Sequence, residues 1–327
     1  MLTKPMDVLT QFPVRKSKVQ KASFRAAVQT YGEHIGYPVT VEKGRFGAQN
    51  LIFGDPETAK YLVTAHYDTC AMLPSPNFIT PCSLPGFLAC QLIQLGLIVL
   101  VAFLLAIAEG MLITGFSPLF GINLGDTWVL FIGLMLPSFT AFNIIPVVLW
   151  MIFGSANKHN SNDNTSGVVT LLEMAKSMPE NQRHKVCFVL FDLEEAGLIG
   201  SASYRKTHKT ATNNQLVLNL DCVGDGDHLR MFPTKKLQKD RKKLTSLYKA
   251  CGYFGRKNLL VHEKGFFVYP SDQNHFPYGV GICALRKRKK LLYLSRIHTK
   301  RDTVLDETNV NILRAALTTF ICCDEVK

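Results

Sequence analysis

Asn160-Ser161-Asn162-Asp163-Asn164-Thr165-Ser166-Gly167 is a polar loop that follows a long uncharged segment and runs into the helical spacing of Val168 to Met178. A carboxylate in such a loop can meet ligands brought from elsewhere in the chain, and Asp163 is the candidate for one shared by two metal ions. Four other segments end in residues that would complete a centre of this kind. They are His66-Tyr67-Asp68 after the apolar run Tyr61 to Ala65, Glu194-Glu195 after Val186 to Phe191, Asp221 after Leu216 to Leu220, and His298 after Leu291 to Ile297. Three or four ligands from separate strand ends are what a catalytic metal site requires.

The segments around these residues predict the fold. Lys18 to Ile35 has amphipathic helical spacing, and Val39 to Val41, Asn50 to Phe53 and Tyr61 to Ala65 read as strands separated by Gly, Pro and Asp turns. Beyond the loop, helix Val168 to Met178, strand Val186 to Phe191, helix Ile199 to Thr207 and strand Leu216 to Leu220 alternate, and a basic amphipathic helix is expected over Leu237 to Cys251. Such alternation gives an α/β fold, a three-layer α/β/α sandwich with a mixed, largely parallel central sheet. Ligands in such sheets gather at the carboxyl ends of the strands.

His66 and Asp68 are two residues apart, so on an extended chain their side chains lean the same way. His66 can then bind metal while Asp68 fixes the tautomer of an imidazole. Glu194 and Glu195 are neighbours, so in an extended segment they diverge; one can hold metal while the other serves as a general base. Bland alternatives exist for each: a solvated acidic turn for the glutamates, a turn cap for Asp221, a basic surface loop for His298, and a packed small residue for Cys222.

The stretch between the first two ligand motifs is of another kind. Leu84 to Ala108 and Trp128 to Gly154 are uncharged, mostly apolar runs, and as helices each exceeds the roughly 30 Å hydrocarbon core of a bilayer. The second contains Pro137, Asn143 and Pro146, so a kinked or partly re-entrant span is expected. Between Asp68 and Lys158 the charged residues are Glu109 and Asp126 alone, so that stretch contributes −2 to the formal charge of +12 and the rest of the chain carries +14. The connector Glu109 to Asp126 has no Lys or Arg, which places it outside and the remainder in the cytoplasm. The expected organisation is a soluble domain in two parts, 1–83 and 155–327, interrupted by a transmembrane helical hairpin over 84–154.

The 327 residues, 47% of them hydrophobic, are enough for a sizeable core. The nine cysteines are an odd number without zinc-finger spacing, which fits a reduced compartment. No short apolar core with a cleavage site opens the sequence, so no signal peptide is expected. Two basic clusters, Lys235 to Lys243 and Arg286 to Lys290, read as solvated faces or as partners of anionic headgroups. No nucleic-acid-binding motif accompanies them.

Together these motifs resemble the zinc aminopeptidases and carboxypeptidases of metallopeptidase family 28, which also includes glutaminyl cyclases. The resemblance rests on His66-Tyr67-Asp68, Asn162-Asp163-Asn164-Thr165-Ser166-Gly167, Asp192-Leu193-Glu194-Glu195-Ala196-Gly197, Asn219-Leu220-Asp221 and His298-Thr299-Lys300-Arg301-Asp302-Thr303. It implies two zinc ions per chain: His66 and Asp221 on one, Glu195 and His298 on the other, Asp163 bridging, and Glu194 as general base. It also implies a cis peptide after Asp163. Two positions depart from the family pattern: Gln273 stands where histidine is common, and Ile297 where secreted leucyl aminopeptidases often carry tyrosine. The expectation is a membrane-anchored di-zinc exopeptidase, an aminopeptidase with a cytoplasmic catalytic domain. A glutaminyl cyclase and a non-catalytic membrane scaffold are the alternatives. The expected partners are a peptide substrate and the lipid bilayer, with homo-oligomer formation through the hairpin left open.

Overall fold

The computed structural model describes residues 2–73, 77–116, 119 and 135–323. It divides into two compact units, Met1–Leu84 with Ala156–Lys327, and Pro85–Ser155.

The first unit is built on one mixed sheet. Its strands are β1 (Val39–Lys43), β2 (Gln49–Phe53), β3 (Tyr61–His66), β4 (Phe78–Ile79), β5 (Val186–Phe191), β6 (Leu216–Leu220), β7 (His228–Pro233), β8 (Gly252–Phe254), β9 (Lys257–Val261), β10 (Gly279–Arg288) and β11 (Leu291–Ser295). Among the described residues their order is β1-β2-β5-β3-β6-β10-β7-β9-β8, with β11 on β10 and β4 on β11. The centre, β5-β3-β6-β10, is parallel throughout. Antiparallel pairs flank it on both sides, β2 against β5 and β7 against β10.

Every residue of β3, β5 and β6 is buried, which is why these strands read as unbroken apolar runs. Their side chains still alternate between two faces. Val63, Ala65, Phe188, Leu190, Leu218 and Leu220 join a core with Phe24 and Val28 of helix Lys18–His34, Leu171 of helix Gly167–Ser177 and Leu313 of helix Glu307–Cys322. Leu62, Cys187, Val189 and Val217 face the other way, toward Tyr204 of helix Ile199–Thr207 and Phe276. Helices on both faces make three layers. Because the four central strands are parallel, His66, Asp192 and Asp221 emerge at one end of the sheet.

Local signals account for the helix bounds. Ser17 and Gln20 form a capping box at the start of helix Lys18–His34, with Gln20 N donating to Ser17 Oγ and Ser17 N to Gln20 Oε1. The single helix expected over Leu237 to Cys251 is instead three short pieces, Lys235–Lys239, Arg241–Leu247 and the 3₁₀ turn Tyr248–Ala250. Asp240 stops the first and caps the second by accepting from Lys243 N. β11 likewise ends at Ser295 rather than Ile297.

In the second unit, helices Leu84–Phe116 and Leu136–Phe153 are long and apolar enough to cross a membrane. At 1.5 Å per residue the first is about 50 Å long. Residues 128–134 of the second apolar run lie outside the described residues. Large apolar side chains along both helices are exposed, Leu92 at 67% and Phe142 at 70%. The buried positions of the first helix are Ala102, Ala106 and Gly110. Spaced by four, they form one line of small residues, which permits close helix approach. Asn143, buried on the second helix, donates to Glu109 Oε2 at 3.0 Å.

Candidate metal centre

The loop over 160–167 is buried although polar, and its side chains explain how. All six residues of Ser161–Ser166 are buried, so their backbone groups need partners inside the protein. Asp302 supplies two: Oδ1 accepts from Asn162 N at 2.8 Å and Oδ2 from Asp163 N at 3.0 Å. Asn164 Oδ1 accepts from Gly167 N and Cys222 N, while its Nδ2 donates to Leu220 O. Asn162 Oδ1 accepts from Gly224 N at 2.7 Å. The loop is thereby tied to the end of β6 and to the segment after His298. Gly167 has no room for a side chain, since a Cβ there would stand 2.4 Å from Leu220 O. The Asp163–Asn164 peptide is cis.

Asp163 lies between the two histidines. Its Oδ1 is 3.3 Å from His66 Nε2 and its Oδ2 is 2.9 Å from His298 Nε2. Asp221 Oδ1 stands 3.8 Å from the same nitrogen of His66, and Glu195 Oε2 stands 3.4 Å from that of His298. Glu194, His66 and Asp221 offer ligand atoms within 4.8 Å of one another. His66 Nδ1 faces away, toward Asp68 O at 3.2 Å and Asp68 Oδ1 at 3.5 Å. A proton held on Nδ1 would leave Nε2 free to bind a metal. All seven residues singled out from the sequence thus converge at the carboxyl end of the sheet.

The glutamates do not lie in an extended segment. After β5 the chain enters a tight turn, with Leu193 at φ 56° and Glu194 O accepting from both Gly197 N and Leu198 N. The turn, not strand alternation, separates the two side chains. Asp68 fixes its start, Oδ1 accepting from Glu194 N at 3.1 Å and Oδ2 from Glu195 N at 3.2 Å. Asp68 is therefore a clamp on the glutamate turn as well as a neighbour of His66. Asp192 is held from the opposite side by Lys21 Nζ at 2.8 Å and by Gln49 N at 3.0 Å.

So many buried carboxylates disturb one another. Burial first, then the charge of Asp163, pushes Glu195 up to about 8 against the pull of His298. Burial and Asp163 likewise push Asp302 up to about 8, and burial drives Asp272 up to about 7. Burial also acts to raise Asp163, but hydrogen bonds from His298 and His66 outweigh it and hold the group below the usual carboxylate range. Divalent cations would offset this crowding of carboxylates beyond what Arg15 and the two imidazoles do. Imidazole and carboxylate donors suit zinc. Glu195 Oε1 is out of solvent with no hydrogen-bond partner, a free donor of the kind a metal takes. The residues present fit the group.

Four further residues lie near the centre. Arg15 is fully buried; its Nε donates to Tyr67 O at 2.5 Å and its Nη1 to Thr165 Oγ1 at 3.1 Å. It braces both the strand end that carries His66 and the Asp163 loop. Asp272 is buried with both carboxylate oxygens lacking a hydrogen bond. Gln273 serves the fold, its Nε2 donating to Tyr269 O and its Oε1 accepting from Asn219 Nδ2. Ile297 packs in an apolar cluster with Cys222, Phe232 and Tyr269. Tyr269 in turn donates to Asp221 O at 3.0 Å and lines a cavity of about 490 Å³ with Phe232, Phe266 and Phe267.

Comparison with known proteins agrees with this geometry. A model of Peptidase family M28 matches residues 155–320, about half of the chain. Aminopeptidase YwaD of Bacillus subtilis is 39% identical over 69 residues, which is 20% of this chain and 15% of that protein. Among solved structures, a Zn-dependent exopeptidase from Parabacteroides distasonis superposes with a TM-score of 0.56 at 14% identity, over 95% of this chain and 92% of that one. A glutaminyl cyclase from Bacteroides thetaiotaomicron gives 0.57 at 15% identity, over 96% and 94%. Likeness at such identities speaks to the fold.

Proposed function

This chain belongs to peptidase family M28, and on that premise we propose that it is a membrane-anchored exopeptidase holding two zinc ions and removing residues from the amino end of peptides. The observation that carries the reading is Asp163, whose two oxygens face different imidazoles, each imidazole having a further carboxylate beside it. That arrangement supports two adjoining ligand sets sharing one residue: His66 and Asp221 on one side, Glu195 and His298 on the other. Zinc, when bound, supplies Lewis acidity to polarise the scissile carbonyl and to make water a better nucleophile near neutral pH.

The remaining work falls to the chain. Glu194 takes the proton from the attacking water and hands it to the leaving amine. Burial, and after it the charge of Glu195, hold its carboxyl above the usual range against the pull of His66. Asp68 orients His66 and anchors the glutamate turn. The carboxylates around the ions would also hold the α-ammonium group of a peptide, which is why the amino end is favoured.

The two apolar helices over 84–154 support a membrane hairpin interrupting a peptidase domain formed by 1–83 and 155–327. The basic surroundings of that hairpin and its connector without Lys or Arg favour a cytoplasmic domain. A second reading, a glutaminyl cyclase, is favoured by the cyclase fold match. Against it, both tryptophans, Trp128 and Trp150, fall in the apolar segments, whereas cyclases of this family are expected to line their pocket with tryptophan.

Metal analysis of the purified chain, combined with a panel of free and N-acetylated peptides, separates the readings. Two zinc ions per chain with release of the first residue from free peptides alone supports the aminopeptidase. One zinc and cyclisation of N-terminal glutamine would replace it by the cyclase. A metal-free, inactive protein would leave a scaffold.

A further inference from the structure

The centre contains a donor outside the ligand set implied by the family. Cys70 lies two residues beyond Asp68 and is buried. Its Sγ, a ring nitrogen of His298 and a carboxylate oxygen of Glu195 lie within 4.8 Å of one another. The thiol is held in place from several directions. Cys70 O accepts from Asn157 N, and Ala71 forms a bridge with Ala156. Sγ donates to Asn160 Oδ1 at 3.5 Å and receives Asn157 Nδ2 at 3.9 Å. Asn157 is itself pinned, its amide donating to Thr299 O at 3.1 Å, next to His298. Glu195 Oε1 is one of the buried oxygens without a hydrogen-bond partner.

We propose that Cys70 is a thiolate ligand of the ion held by Glu195 and His298. The inference rests on the di-zinc reading above. Its chemistry is simple: as the bond from Sγ to the metal forms, the S–H bond breaks and the proton leaves to solvent, while Asn157 Nδ2 remains as a donor to the sulfur. That ion would then have one sulfur, one nitrogen and one carboxylate within reach of one another. A thiolate in the set would favour zinc, cobalt or cadmium over magnesium or manganese.

Cys222 is the obvious competitor, because its sulfur also lies within 4.8 Å of Asp163 and Asp221 donor atoms. It packs, however, in an apolar cluster with Phe232, Tyr269, Cys283 and Ile297.

X-ray absorption on the full-length protein loaded with zinc in detergent tests the assignment. The expected spectrum contains a sulfur shell at about 2.3 Å beside nitrogen and oxygen at about 2.0–2.2 Å. That shell should survive Cys222→Ser and vanish in Cys70→Ser. The cobalt(II) form should likewise lose its near-ultraviolet thiolate-to-cobalt band in Cys70→Ser, with affinity for the more tightly held ion falling at least about 10-fold, as for loss of an orienting partner. Zinc bound in the wild type through nitrogen and oxygen alone overturns the thiolate and leaves the peptidase reading standing, and this outcome needs no variant to fold. A sulfur shell that persists in Cys70→Ser also overturns it. A chain that takes up no zinc overturns both.

Discussion

The carboxylate of Asp68 accepts the backbone N–H of Glu194 at 3.1 Å and, through its other oxygen, that of Glu195 at 3.2 Å. A residue at the end of one strand thus decides where the turn after another begins. Asp68→Ala should lower zinc affinity or turnover by about 10–100-fold, the scale for partners that orient ligands. Asp68→Asn, which keeps one carbonyl acceptor, should fall between. Zinc titration and hydrolysis of an aminoacyl substrate measure both. Wild-type values for Asp68→Ala would remove the clamp from the mechanism.

Glu194 is assigned the proton and not the metal. Glu194→Gln should therefore leave zinc content near wild type and reduce turnover by at least about 10²-fold, while Asp163→Ala should lose metal. Loss of zinc in Glu194→Gln would make that residue a ligand.

His208 offers a test of stability away from the centre. It bonds Glu42 through Nε2 at 2.6 Å and Glu57 through Nδ1 at 2.5 Å. The bond to Glu42 chiefly, and then that to Glu57, raise its pKa above the ordinary value, against burial. A folded pKa above the unfolded one stabilises fully below about 6.5 and less as pH rises through the folded value. His208→Gln should thus cost more stability at pH of about 6 than at about 9, and only modestly, since Glu57 is 55% exposed. Denaturant unfolding at the two pH values reads the difference. A gap that widens toward high pH would contradict the pairing.

A hairpin placed between two ligand motifs can be tested for a role beyond tethering. Replacing Leu84 to Gly154 by a short Gly/Ser linker should spare zinc binding and cleavage of small soluble aminoacyl substrates, yet sharply reduce cleavage of long apolar peptides in liposomes. Equal loss on both substrates would make the hairpin a folding requirement. Equal retention would make it a passive anchor.

The elements legible in the sequence were those whose burial leaves one pattern. β3, β5 and β6 are buried on both faces and read as apolar runs with a ligand at the end of each. Less legible was whatever depends on partners distant in sequence. Nothing near Arg15 announces that its guanidinium will reach Tyr67 O and Thr165 Oγ1. Asp302 sits among Lys300 and Arg301, yet its role is to accept two backbone N–H groups of the Asp163 loop. The break at Asp240 was hidden by strong helix formers on both sides, and its capping side chain decides there.

β3 lies between β5 and β6, although the whole inserted hairpin separates it from them in sequence. A ribosome therefore releases β1, β2 and β3 long before the central neighbours of β3 exist. On the membrane reading, the hairpin is inserted while the first third of the peptidase domain waits with both edges of its central strand unpaired. Such edges invite pairing with other chains, and sequence-distant pairing slows folding. Biogenesis of this protein should thus depend on holding that nascent segment apart until the second half arrives, and on the bilayer keeping its own end fixed meanwhile.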